Sequence, residues 1–177
     1  MRRISHQTAK ASDYNKESQG YDAFNERNSA LINYTVEQLL KKYTVHTVLD
    51  LACGTGSQVF WLTRAGFEVI GVDINSKMLK IAKEKASQQK MSLTFLKGDM
   101  RTTHAGEFDA VITIFNSIGH LTKADFEIAL RNIQRNLKKD GLYIFDIANL
   151  NYYRSDNHIA ELTVDWSTRT ADTHFRD

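Results

Sequence analysis

Apolar and polar positions change period repeatedly along the chain. From Tyr21 to Tyr43, the residues Phe24, Leu31, Ile32, Val36, Leu39, Leu40 and Tyr43 return at helical spacing, which predicts one long helix or two short ones. "TVLDLA" then reads as a buried strand, and "SQVFWLTRAG" as a helix closed by Gly66. "FEVIGVD" is a second buried strand. "NSKMLKIAKEKASQQ" is a helix capped by Asn75 or Ser76, with a lysine-rich face that solvent can cover. "SLTFLKGD" and "FDAVITIF" are the third and fourth strands. In "KADFEIALRNIQRNL", Phe126, Leu130, Ile133 and Leu137 share one helical face. Asp140-Gly141 predicts a turn, and "LYIFDIA" a fifth strand.

Apolar runs alternating with amphipathic helices predict an α/β fold, with parallel strands joined by helical crossovers and covered on both faces. The first 20 residues read as a polar, mobile lead-in, and 21–150 as the core. After Leu150 the pattern degrades. "AELTVDW" alternates like one more strand, and Trp166 suits a substrate lid or an interface.

Composition narrows the function. Lys plus Arg number 23 against 21 Asp plus Glu, a formal net charge of +2. This near balance disfavours nucleic acid or a membrane surface as the main partner. The single cysteine, Cys53, rules out an internal disulfide and a Cys-rich zinc site, and fits a reducing, cytoplasmic setting. The histidines are scattered without ligand spacing, so no metal site is expected.

The chemistry concentrates in "VLDLACGTG". A strand that ends in Ala52, Cys53, Gly54, Thr55 and Gly56 lets a ligand approach the backbone closely. Dinucleotide sites use G-x-G-x-x-G, but Gly56 is followed by Ser57, Gln58 and Val59, so the third glycine is missing. Asp50 repels a pyrophosphate and suits an ammonium group. Asp73, ending the second strand, can accept both hydroxyls of a ribose. Ile74 can cover one face of a flat base. Asp99 can accept from an exocyclic amine, with Met100 packed on the ring. The set reads as ammonium, ribose and purine along one sheet edge.

The stretches "VLDLACGTG", "GVDINSKML", "LKGDM", "FDAVITIFNSIGHL" and "LKKDGLYIFDI" resemble, in order and spacing, the motifs of class I S-adenosylmethionine-dependent methyltransferases, and most closely the small-molecule branch. The resemblance covers roughly Tyr21 to Leu150. It implies a doubly wound, Rossmann-like parallel sheet with strand order 3-2-1-4-5 and S-adenosylmethionine as cofactor. Asp50, Ala52, Gly54 and Gly56, with Cys53 in the same loop, would line its methionine part. Asp73 would hold the ribose, Ile74 and Met78 would flank the adenine, and Gly98, Asp99 and Met100 would close around it. Phe115 and Asn116 would face the sulfonium and the substrate. Tyr21 looks like a tyrosine that covers the cofactor. Asn116, His120 and Tyr21 are the candidates for a catalytic role.

Ala52 stands where many family members have glycine, and "LKKDG" lacks the common proline. The Asn/Asp-Pro-Pro-aromatic motif of DNA adenine methylation is replaced by "FNSIGH", which favours a small-molecule acceptor over DNA. The last 27 residues are too few for the family's usual antiparallel pair together with added strands. The expectation is a segment, truncated here, that begins to complete the sheet or cover the substrate. A homodimer through the exposed sheet edge is a second way to cover that edge. The competing readings are a cofactor-binding domain without turnover and a nicotinamide-dependent oxidoreductase.

Overall fold

Burial decides which stretches become strands. In the computed structural model, β1 (Thr47–Leu51) is buried at every position after the first, β2 (Glu68–Asp73) at four positions and β4 (Phe108–Thr113) at five. With β3 (Thr94–Lys97) and β5 (Leu137–Phe145) they form a parallel sheet in the order β3-β2-β1-β4-β5. The strand order is the one expected, and it reverses between β1 and β4. The structure describes residues 7–12, 21–147, 159–165 and 170–175, with the backbone alone for 21–28 and for the last two segments.

Successive residues of a strand point to opposite faces, and the core divides accordingly. One cluster joins Val48, Ala110 and Ile112 to α1 (Tyr21–Lys42), α2 (Ser57–Arg64) and α3 (Ser76–Gln88) through Leu40, Val59 and Leu79. The other joins Leu49, Leu51, Val72 and Val111 to α4 (Lys123–Arg135) through Ile133. Gly71, in β2, lets α2 lie close to the strand. A Cβ there would sit 2.9 Å from Cys53 Sγ, Val59 Cγ2 and Phe95 Cδ1. Gly66 (φ 96°) follows α2 and donates its N–H to Thr63 O, the closing role its position predicts.

Helix faces differ in places from the apolar spacing. The stretch from Tyr21 forms one helix, but Leu31 is 70% exposed while the polar Asn33 is buried. In α4, Leu130 is exposed, and the buried positions are Ala129, Asn132 and Ile133. Hydrogen bonding explains the inward asparagine. Asn132 Nδ2 donates to Met100 O (3.0 Å) and Thr103 O (2.7 Å). Asn136 donates to Thr103 O and accepts from Ala105 N. These carboxamides supply donors and acceptors to a loop backbone that has no strand partner.

The expected turn at Asp140-Gly141 is a bulge inside β5. Leu137 pairs with Phe108 and Leu142 with Ala110, so the residues between them loop out, with Asp140 at φ 62°. No residue of β5 is fully buried, as befits an edge strand. Beyond it, β6 (Ile159–Asp165) and β7 (Thr170–Phe175) pair antiparallel as a separate two-stranded sheet. Both strands fall where at most two short ones were expected. Trp166 lies outside the described residues. Among the described residues, no helix is long and apolar enough to cross a membrane.

Candidate functional site

The site lies at the carboxyl ends of β1, β2 and β4, beside the point where strand order reverses. The loop after β1 is tied to the end of β2. Ala52 N and Cys53 N both donate to Val72 O (2.7 and 3.0 Å), and Gly54 N donates to Asp73 Oδ2 (2.8 Å). Ala52 (φ 70°), Gly54 (φ 54°) and Gly56 (φ 90°) are all left-handed. The glycines adopt this region freely, whereas Ala52 is strained there, which gives a physical reason for the glycine that many family members carry.

The two glycines serve different ends. A Cβ on Gly54 would meet nothing within 4 Å, so its absence opens space for a ligand. A Cβ on Gly56 would lie 3.0 Å from the Phe95 ring and 3.1 Å from Phe60. Gly56 therefore packs the loop on the core. It lines neither of the two cavities at the site.

Two carboxylates dominate the electrostatics. Asp50 is 1% exposed, and its Oδ2 has no hydrogen-bond partner among the described residues. Burial, reinforced by the Asp73 charge, pushes its carboxyl up to about 8. Asp73 is also raised by burial, but N–H groups of Asn75 (2.7 Å) and Gly54 oppose the shift. Burial and both aspartates push the Cys53 thiol well above its ordinary range. A protonated, buried thiol is a poor nucleophile.

The larger cavity, about 120 Å³, gathers Ala52, Gly54, Asp73, Ile74, Met78, Gly98, Asp99, Met100, Phe115 and His120. These were all sequence candidates. Cys53 lies in a smaller cavity of about 30 Å³ with Ser29, Thr55 and Gln58; Ala52, Gly54, Phe115 and Ser117 line both. Asp50 and Asn116 line neither. Tyr21 heads α1, and its side chain lies outside the described residues. Among the described residues, no cluster of His, Cys, Asp or Glu could hold a metal ion.

Asp99 is more committed than expected. Arg101 donates to it from its backbone N–H (2.9 Å) and from Nε (3.0 Å) and Nη2 (2.5 Å), and these bonds hold the carboxyl below its ordinary range. Arg101 Nη1 also donates to Asp125 (3.0 Å). After β4, Phe115 (φ 61°) and Asn116 (φ 56°) are consecutive left-handed residues. Such backbone persists where its surroundings enforce it, often at functional sites. Here Asn116 N donates to both oxygens of Asp146 (3.0 and 3.1 Å).

Sequence reasoning missed Asp125 and Asp146, and it missed Arg101 and residues 8–11, which line the larger cavity. The aspartate in "LYIFDIA", at the carboxyl end of an expected strand, was an available signal for Asp146. The N-terminal residues carried none.

The profile of a family described as a methyltransferase domain matches residues 48–141, more than half of the chain. The chain belongs to this methyltransferase family. Its strand order is that of the class I methyltransferase fold. A putative methyltransferase, YqeM of Bacillus subtilis, is 42% identical over 103 residues, covering 56% of this chain and 41% of that protein. Glycine N-methyltransferase of Mus musculus is 35% identical over 132 residues, covering 66% and 45%. The methyltransferase chain thus spans less than half the length of either relative. The crystal structure of PH0226 protein from Pyrococcus horikoshii superposes with a TM-score of 0.72 at 30% identity, covering 85% of this chain and 72% of that one.

Proposed function

We propose that this methyltransferase binds S-adenosylmethionine in the larger cavity and transfers its methyl group to a small-molecule acceptor. The observation that carries the reading is the buried, unpartnered Oδ2 of Asp50 beneath a loop whose Gly54 leaves open space, with Asp73 beside it. A pyrophosphate at that loop would meet two carboxylates. A ligand with an ammonium group would relieve the orphaned oxygen, and a ribose would take the remaining lone pairs of Asp73. The donor set fits the cofactor.

S-adenosylmethionine supplies an electrophilic methyl on a sulfonium whose thioether is an excellent leaving group. The protein's task is therefore positional. Asp50, buried behind the cavity wall, would attract the ammonium from beneath the loop, Asp73 would take the ribose hydroxyls, and Ile74, Met78 and Met100 would pack on the adenine. Phe115, held left-handed by the loop after β4, faces the reacting end and keeps water out. Orienting nucleophile, methyl carbon and sulfur in line supplies about 7–11 kcal/mol in favourable cases. A general base is needed only if the acceptor must lose a proton first, and His120 lines the cavity for that role. Similarity to a protein named glycine N-methyltransferase supports a small acceptor.

The test is turnover. Incubated with S-adenosylmethionine and a panel of small amines and amino acids, the protein should form S-adenosylhomocysteine in an acceptor-dependent way. Acceptor-independent background across the whole panel would contradict methyl transfer to this class.

A further inference from the structure

Residues 8–11 run along the larger cavity and are fastened to elements on both sides of the strand-order reversal. At one end Ala11 O accepts from Asn75 Nδ2 (2.6 Å), whose Oδ1 meanwhile caps α3. In the middle, Ala9 N donates to His120 O (3.0 Å). At the other end Thr8 Oγ1 accepts from Thr122 N (3.0 Å) and donates to Asp125 Oδ2. Asn75 follows β2, whereas Thr122 and Asp125 stand at the start of α4, after β4. The segment therefore bridges the ends of β2 and β4.

None of residues 7–12 is buried. With little apolar burial, the segment belongs to the part of a fold that opens at low cost. Its fastening at the α4 end is polar. Asp125 uses Oδ2 for Thr8 and Oδ1 for Arg101, which grips Asp99. One carboxylate thus joins the segment to the loop that carries Gly98, Asp99 and Met100.

We propose that residues 8–11 form a strap that must lift to admit the nucleoside half of the cofactor and then closes over it, with Thr8 and Asp125 as the positioning residues that latch it. The proposal rests on the cofactor reading above. Because residues 8–11 line the cavity and are bonded on both sides of it, the strap lifts for entry as well as for release. Loosening it speeds both steps, whereas simple damage to the site speeds release alone.

The experiment measures association and dissociation rates of S-adenosylhomocysteine by stopped-flow or surface plasmon resonance. Thr8→Val keeps the shape and removes the hydroxyl. Both rates should rise roughly threefold to tenfold, the equivalent of one hydrogen bond, while Kd moves much less. Asp125→Asn should act in the same direction, and adding Thr8→Val to it should change the rates little further, because the contact the two residues share is already lost. Unchanged rates in Thr8→Val, or a faster dissociation with unchanged association, would overturn the strap. A wild-type protein that fails to bind S-adenosylhomocysteine at all would instead overturn the cofactor reading, and the strap with it.

Discussion

Asp50 couples cofactor binding to a proton. Its raised carboxyl is neutral at pH 7, and an ammonium beside it favours the ionised form. Binding should therefore release a proton at pH 7 and release little at about pH 9, where the group is already ionised. Calorimetry in buffers of different ionisation enthalpy reads this directly, and Asp50→Asn should abolish it. The same shift bears on stability. The folded value lies above the ordinary 3.8, so the protonated group's contribution is complete below about pH 4 and is lost as pH rises through 8. Wild-type stability should fall between about pH 4 and pH 8, and Asp50→Asn should flatten that fall. At the upper end the variant should be more stable than the wild type by about 1–3 kcal/mol, because the amide carries no buried negative charge. A denaturation series over that range checks the sign. Asp73→Ala should behave oppositely to a merely space-filling change. It removes the acceptor for Gly54 N and Asn75 N as well as for the ribose, and should weaken cofactor binding by about 2–3 kcal/mol. Cys53→Ala should leave affinity nearly unchanged, because Cys53 contributes only a buried, protonated thiol.

At the scale of elements, the parallel strands and their helices were legible because burial on both faces writes continuous apolar runs. Asp50, Gly54 and Asp73 were legible for the same reason, since each interrupts or ends such a run. What was not legible depended on contacts far apart in the chain. Asn132 reads as the polar side of α4 and instead faces inward, because Met100 O and Thr103 O need its donors. The Asp140-Gly141 pair reads as a turn and instead bulges, because β4 and β5 must stay paired on either side of it. Residues 8–11 carry no apolar period, so only their long-range hydrogen bonds reveal where they lie. Asn132→Ala should expose the consequence. It removes the donor to Met100 O, leaves Thr103 O with Asn136 alone, and should cost about 1–3 kcal/mol in urea denaturation. It should also weaken nucleoside binding by loosening the loop that carries Asp99 and Met100. Unchanged stability would mean that the loop holds itself.

For the whole molecule, alternation implied parallel strands, the resemblance carried by the motifs implied their order, and the antiparallel pair β6–β7 follows the core as a separate sheet. The central claim concerns what the sheet edge binds, and calorimetric titration tests it most directly. S-adenosylhomocysteine and a nicotinamide dinucleotide are titrated into the wild type and into Asp73→Ala. The account predicts saturable binding of S-adenosylhomocysteine to the wild type, a roughly 30- to 150-fold loss of affinity in the variant, and no saturable dinucleotide signal. Saturable dinucleotide binding with no response to S-adenosylhomocysteine would contradict it.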